Sequence, residues 1–170
     1  MSTEQTDTGA KGLDVITIGR ASVDLYGQQI GTRLEDIGSF AKSVGGCPAN
    51  IAVGTARLGL KSALITRVGH EQMGRFIVEQ LAREGVETAG IATDPERLTA
   101  LVLLSVEAEG VSPMIFYRTD CADMALSEAD IDPALIASAR AIVVTGTHFS
   151  RPNSEAAQKK AIALAKARGY

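Results

Sequence analysis

The sequence has 170 residues, of which 45% are apolar and 22% charged, and its formal net charge is −3. This length suffices for one domain with a hydrophobic core. The small negative net charge gives no basic surface for nucleic acid or for an anionic membrane. No apolar run approaches the roughly 20 residues that a membrane span requires. Residues 1–12 are polar and lack the apolar core of a signal peptide, so we expect them to be a disordered lead-in. Without an export signal we expect a cytoplasmic protein, in which Cys47 and Cys121 stay reduced and hold no metal.

The first part of the sequence predicts a strand, a hairpin and a helix. Residues 13–19 form an apolar, β-branched run closed by a glycine, which is typical of a buried strand. Glycines alternate with short apolar stretches over residues 25–44, and this pattern favours a hairpin over a helix. Small residues dominate residues 48–58, and Gly59 follows as a C-cap, so this stretch predicts a helix.

The middle of the sequence predicts a further strand and helix and then two more strands. Residues 61–68 have the apolar character of a buried strand, and residues 71–84 form an amphipathic helical pattern that Gly85 ends. Residues 101–106 and 114–117 are strand-like.

The last third of the sequence returns to a mixture of helices and strands. Residues 133–139 predict a short helix that leads into a buried strand over residues 141–145. A final helix is predicted over residues 153–168, with Asn153 as its N-cap.

The alternation of strands and helices predicts a layered α/β fold with a mostly parallel central sheet and helices on both faces. The hairpins interrupt this alternation. We therefore expect the segments near 25–44 and 88–118, with a turn at Glu109-Gly110, to form a separate small sheet. Residues 167–170 resemble the end of a helix followed by the first residue of a strand, so we expect residues 13–170 to be the N-terminal part of a longer domain.

A glycine-rich turn, Gly45-Gly46-Cys47-Pro48-Ala49-Asn50, leads directly into the helix predicted over residues 48–58. Consecutive glycines let a ligand approach the backbone closely, and the helix N-terminus offers free N–H groups and a partial positive charge. The amide of Asn50 both donates and accepts hydrogen bonds, which suits a hydroxyl group. Asp24 follows the first strand, and a carboxylate there can accept hydrogen bonds from two neighbouring hydroxyls. A tight strand-to-helix turn without a ligand is the alternative for the two glycines, and a simple turn residue is the alternative for Asp24.

The longer spacing around this turn resembles the first signature of the PfkB carbohydrate kinase family. The matching positions are Gly45, Gly46, Asn50, Ala52, Gly59 and Gly69. The resemblance extends over nearly the whole chain from Leu13. It implies a ribokinase-like, Rossmann-type α/β sandwich with a small β-sheet lid, and ATP-dependent phosphorylation of a sugar hydroxyl with Mg²⁺. It also implies that Asp24, Gly45, Gly46 and Asn50 bind the substrate.

Two further stretches, residues 18–26 and 116–126, resemble family members that act on acidic sugars. They imply 5-dehydro-2-deoxygluconate from myo-inositol breakdown as the substrate, with 2-dehydro-3-deoxygluconate, fructose and ribose as alternatives.

Two arginines are candidates for binding the carboxylate of an acidic sugar. Arg118 shares one face of its strand with Phe116, and its planar guanidinium group can bind a carboxylate in two places. The alternative is an exposed lid arginine paired with Asp120 or Asp123. Arg20 is a second candidate for the same carboxylate, and a structural role is its alternative.

The resemblance also indicates what these 170 residues lack. In the family the catalytic base is an Asp in a Gly-Ala-Gly-Asp motif, and no such motif occurs here. We therefore expect the base and most of the ATP site after Tyr170, and a chain that is inactive by itself. Two classes of function stay open: part of a sugar kinase, or a non-catalytic module for binding sugar or another protein. The expected partners are a sugar acid, ATP and a second copy of the chain paired through the lid sheet, but not nucleic acid or a membrane.

Overall fold

The computed structural model describes residues 12–106 and 113–169, which form two β-sheets and four α-helices. The strands are β1 (Val15–Ile18), β2 (Ser22–Gly27), β3 (Phe40–Gly45), β4 (Ser62–Gly69), β5 (Ile91–Asp94), β6 (Ala100–Leu104), β7 (Met114–Tyr117) and β8 (Ala141–Val144). The α-helices are α1 (Cys47–Arg57), α2 (Gln72–Arg83), α3 (Pro133–Ala137) and α4 (Pro152–Lys166). Each predicted strand and helix is present, and no end shifts by more than three residues.

One four-stranded sheet is parallel and has the strand order β5-β4-β1-β8. Val15 of β1 lies opposite Ser62 on one side and Ala141 on the other. Parallel strands of this kind are covered on both faces, which explains why β4 is buried along almost its whole length.

Two hydrophobic cores lie on opposite faces of the parallel sheet. Because side chains alternate along a strand, Ala63 and Ile65 of β4 face one core and Leu64 faces the other. The first core is closed by α3 and α4, and α4 contributes a row of alanines at every fourth position. The second core is closed by α1 and α2. The predicted layered α/β fold, with helices on both faces of a parallel sheet, is confirmed.

The other sheet also has four strands, in the order β3-β2-β6-β7, and is called the second sheet below. The predicted hairpin over residues 25–44 is confirmed, since β2 and β3 pair antiparallel. Strands β6 and β7 also pair antiparallel, but the turn predicted at Glu109-Gly110 lies outside the described residues. Residues 91–94, which the sequence pattern groups with the second sheet, form β5 at the edge of the parallel sheet.

The ends of the helices follow the predicted glycines but not the predicted N-cap of α4. Gly59 and Gly85 both take positive φ after their helices, at 87° and 79°. The prediction that Asn153 caps α4 is wrong, because Pro152 fixes the first helical position and Arg151 precedes it as the N-cap. The Asn153 amide instead donates hydrogen bonds to the carbonyl oxygens of Met124 and Leu126.

None of the helices in residues 12–106 and 113–169 is long and apolar enough to cross a membrane.

Candidate functional site

The candidate site lies where the chain passes from the parallel sheet to the second sheet. Strand β1 ends at Ile18, and only three residues, 19–21, separate it from β2. Strand β3 ends beside this connection, since Gly45 lies opposite Ser22. Ligands of open α/β sheets bind at the carboxyl ends of the parallel strands, and this connection starts at such an end.

Gly19 opens this connection, and three side chains from two other segments of the chain pack closely around it. Its φ of 140° is unfavourable for residues with a side chain. A Cβ atom there would lie 2.9 Å from Pro48 Cγ, 2.9 Å from Thr145 Oγ1 and 3.1 Å from His148 Nδ1. The turn into α1 and the segment after β8 therefore meet at the end of β1.

Asp24 lies in β2 with its carboxyl group seated against the backbone of Gly45. A Cβ atom on Gly45 would overlap all three atoms of that carboxyl group, so only glycine leaves room for it. The Ser22 hydroxyl donates a 3.0 Å hydrogen bond to Asp24 Oδ1. Burial raises the pKa of Asp24, and the Ser22 hydrogen bond and the charge of Arg20 act against that rise.

Gly46 is the second glycine that the backbone requires. It is the N-cap of α1 with φ 101°, and a Cβ atom there would overlap the carbonyl oxygen of Arg20. Gly45 and Gly46 thus have separate tasks: one makes room for a side chain and the other lets two backbone segments approach.

The predicted site residue Asn50 lies in the first turn of α1 and is exposed. It lines a groove of about 410 Å³ between β3, α1 and α2. In that groove the Lys42 ammonium group lies 4.1 Å from the centre of the Phe76 ring. Within the described residues no hydrogen bond joins Asn50 to Asp24, so a role for Asn50 in binding a substrate stays a prediction.

One face of the second sheet carries both an acidic and an aromatic side chain. Asp24 lies opposite Val102 in β6, and Val102 lies opposite Phe116 in β7, so the three side chains share that face. The Arg20 guanidinium group stands 5.9 Å from the centre of the exposed Phe116 ring. A cation, a carboxylate and an apolar ring therefore border the same surface.

The predicted site residue Arg118 is paired with Asp123. Its Nε donates a 2.9 Å hydrogen bond to Asp123 Oδ2, and Nη2 donates to the same oxygen. Asp120, the other partner considered from the sequence, lies in a turn with φ 49° and pairs with Arg97 instead. The alternative of a lid arginine paired with Asp123 is therefore right about the ion pair but wrong about exposure, since only 18% of the Arg118 side chain is exposed. Binding of a substrate by Arg118 stays a prediction.

His148 joins this pair from the segment that follows β8. Its Nε2 lies 3.3 Å from the carbonyl oxygen of Asp123 and 3.8 Å from the Asp123 carboxylate. Burial lowers the pKa of His148, with the charge of Asp123 acting against that effect. The imidazole is therefore expected to be neutral near pH 7, with the proton on Nε2.

Two residues of this site were not predicted from the sequence. Ser22 supports Asp24, and it lies two residues earlier on the same strand face, so the period of two along β2 was an available signal. His148 follows a buried strand, which is a weak signal by itself. In the part of the chain that the structure describes, no three His, Cys, Asp or Glu side chains converge to hold a metal ion.

Comparisons with known proteins show the family and the fold of this chain. The family model described as pfkB family carbohydrate kinase matches residues 13–170. A 5-dehydro-2-deoxygluconokinase from Geobacillus kaustophilus is 38% identical over 160 residues, which cover 94% of this chain and 48% of that protein. A crystal structure of a PfkB protein from Polaromonas sp. JS666 is similar with a TM-score of 0.87 and 32% identity, over 92% of this chain and 53% of that one. An uncharacterized sugar kinase from Pyrococcus horikoshii in complex with ATP has a TM-score of 0.80 and 31% identity, over 91% and 50% of the two chains.

The likeness to solved structures confirms the predicted ribokinase-like fold. The chain spans about half the length of the relatives it matches.

The close fit between Gly45 and Asp24 gives a first prediction. Gly45→Ala forces the Asp24 carboxyl group away from the backbone, and we expect it to destabilise the protein by about 1–3 kcal/mol, the usual range for an overpacked site. Thermal unfolding of the two proteins measures this difference.

Gly54→Ala is the matched control, because a Cβ atom on Gly54 meets no atom within 4 Å and the residue lies inside α1. We expect it to stabilise the protein by about 0.5–1 kcal/mol. Equal melting temperatures for wild type and Gly45→Ala would show that Asp24 does not depend on Gly45.

Proposed function

We propose, because this chain belongs to the pfkB family of carbohydrate kinases, that it forms the sugar-binding part of an enzyme that transfers phosphate from ATP to a hydroxyl group of an acidic sugar. The observation that carries the proposal is the Asp24 carboxylate, which is held on the Gly45 backbone, hydrogen-bonded by Ser22 and close enough to Arg20 to feel its charge. That carboxylate can accept hydrogen bonds from two sugar hydroxyls at once.

For the substrate we propose 5-dehydro-2-deoxy-D-gluconate, an intermediate of myo-inositol breakdown. The name of the Geobacillus relative supports this choice at 38% identity. The charges support this choice independently. A carboxylate at one end of a sugar needs a cation to bind it, whereas hydroxyl groups do not need one. Arg20 stands over Phe116, which shares the sheet face of Asp24, and Arg118 follows the last residue of β7.

The residues of this chain bind and orient the sugar in this proposal. Asp24 accepts hydrogen bonds from hydroxyl groups, and Asn50 adds a donor and an acceptor in the first turn of α1. Gly45 and Gly46 bring the Asp24 carboxyl group and the start of α1 together, so that the sugar can contact both. Arg20 and Arg118 bind the carboxylate, and the exposed ring of Phe116 gives an apolar surface beneath the carbon chain.

ATP and Mg²⁺ are the cofactors that the family implies, and ATP supplies the phosphate when it is bound. The ATP complex of the Pyrococcus relative supports ATP as the donor. No group of described residues here has the ligands for a metal ion, so we assign no step to Mg²⁺ in this part of the protein. The base that activates the acceptor hydroxyl is proposed to lie outside these 170 residues, since they contain no Gly-Ala-Gly-Asp motif.

Coupled measurement of ADP release by the full-length protein tests the function. We expect kcat/KM to be highest with 5-dehydro-2-deoxygluconate, and lower with 2-dehydro-3-deoxygluconate, fructose and ribose, because only an acidic sugar uses the arginines. Highest activity with a neutral sugar would reject the acidic substrate. Sugar binding without ADP release from any of the four would favour the non-catalytic module.

The variant Asp24→Asn is expected to weaken sugar binding while it raises the stability of the folded protein. It removes the charge that binds the hydroxyl groups, and we expect kcat/KM to fall on the order of 100-fold or more. Because burial raises the pKa of Asp24 above its ordinary 3.8, the folded protein holds this proton more tightly than the unfolded chain does. Ionisation therefore costs stability as the pH rises from about 3.8 through the folded pKa, and the asparagine variant avoids this cost.

Melting temperatures between pH 3.5 and pH 7 measure the effect. The Asp24→Asn variant is expected to melt above wild type at pH 7, and this difference should vanish on acidification. A variant less stable than wild type at pH 7 would contradict the assignment.

A second copy of the chain is the proposed protein partner. Strand β7 lies at the edge of the second sheet, and each of its four residues is exposed, including Met114, Ile115 and Phe116. An exposed apolar edge strand is a template for pairing with another strand. Sedimentation of the full-length protein at micromolar concentration is expected to give a dimer, and Ile115→Lys to give a monomer; a monomeric wild type would reject this partner.

A further inference from the structure

The ion pair between Arg118 and Asp123 has an unusual geometry. Asp123 retains 1% of its side-chain exposure, and Oδ2 accepts both of its hydrogen bonds from Arg118. Its other oxygen, Oδ1, is buried and accepts no hydrogen bond from the residues that the structure describes. The arginine uses the side of its guanidinium group, Nε and Nη2, for this contact.

This geometry leaves the end of the guanidinium group available. No hydrogen bond or ion pair of Nη1 occurs within residues 12–106 and 113–169, and Nη1 is not among the buried atoms that lack a partner. An arginine binds a carboxylate in two places with either its side or its end, since each presents two parallel N–H groups. Asp123 occupies the side, and Nη1 and the second N–H group of Nη2 remain for another anion.

We propose that Asp123 is a positioning residue, which fixes the guanidinium group of Arg118 so that its free end faces the carboxylate of the sugar. The inference rests on the proposed function and deepens it, because it names a residue that sets the preference for an acidic substrate without touching that substrate.

The position of Arg118 on the second sheet supports this role. Strands β2 and β7 are separated only by β6, so Asp24 and the Arg118 end of β7 lie about 10 Å apart across the sheet, at about 4.8 Å per strand. Phe116, two residues before Arg118, lies across Val102 from Asp24, and the Arg20 guanidinium group is 5.9 Å from the centre of its ring. A sugar acid bound by its hydroxyl groups at Asp24 can direct its carboxylate toward Arg118.

Stability alone does not account for Asp123. Burying a carboxylate with one unpartnered oxygen is costly, and a buried ion pair often contributes little net stability compared with apolar residues of the same size. His148 does not neutralise the carboxylate, since its imidazole is expected to be uncharged, but its contact with the Asp123 carbonyl oxygen fixes the backbone there. The physical result is an arginine bound through Nε and Nη2 to a carboxylate whose own backbone is fixed.

The test uses the full-length protein with the variants Asp123→Asn, Arg118→Ala and their combination. Asp123→Asn keeps the shape of the side chain and removes its charge, so the guanidinium group loses its fixed plane. We expect KM for 5-dehydro-2-deoxygluconate to rise about 10-fold with little change in kcat, and KM for fructose to stay within twofold of wild type. Because Asp123 acts through Arg118, the double variant should have the same KM as Arg118→Ala.

Asp120→Asn is the matched control. It makes the same substitution three residues earlier, on an exposed side chain that pairs with Arg97 and not with Arg118. We expect it to leave both KM values unchanged. Asp123→Glu serves as the second variant if Asp123→Asn does not fold: it keeps the charge but moves it, and KM for the acidic sugar should again rise selectively.

The outcomes separate the inference from the proposed function. A wild-type protein without preference for acidic sugars removes the proposed substrate class and this inference with it. A wild-type preference that Asp123→Asn leaves intact removes the inference alone. Equal increases in KM for both sugars, or additive effects in the double variant, would assign Asp123 a purely structural role.

Discussion

The contact between the Asp24 carboxyl group and the backbone of Gly45 is the constraint on which the candidate site depends. It fixes the start of β2 against the end of β3, and the end of β3 fixes where α1 begins. The second glycine then brings the start of α1 against the Arg20 carbonyl oxygen. Because Gly45 and Gly46 have no Cβ atoms, the Asp24 side chain, the connection between the two sheets and the start of α1 can pack against one another.

The charges at the site follow from the same arrangement. Burial disfavours the ionised form of Asp24, while Ser22 and Arg20 favour it, so this carboxylate is kept at some cost to the fold. Across the sheet, Arg118 is held by a buried carboxylate and Arg20 by an aromatic ring. In the proposed function Asp24 binds hydroxyl groups of the sugar and the two arginines bind its carboxylate.

The sequence was sufficient for the features that local physics decides. Apolar runs identified β1 and β4, glycines identified the ends of α1 and α2, and the consecutive glycines identified the turn at the site. Features that depend on three-dimensional packing were different. Arg118 pairs with Asp123 and not with Asp120, because Asp120 lies in a turn with positive φ. Strand β5 joins the parallel sheet, because β4 has a free edge there. Asn153 resembled an N-cap, but Pro152 moved the helix start and released its side chain for another contact.

The strand order of the parallel sheet also bears on how the protein is made by the ribosome. Strand β1 leaves the ribosome among the first ordered residues, yet one of its two neighbours is β8, whose residues Ala141–Val144 are synthesised much later. Until they emerge, Val15–Ile18 can pair only with β4, and the other edge of this apolar strand stays open to pairing with foreign chains. The nascent protein therefore passes through an interval in which a buried strand of its parallel sheet is paired on one edge only, and a chaperone that covers the other edge would prevent such pairing.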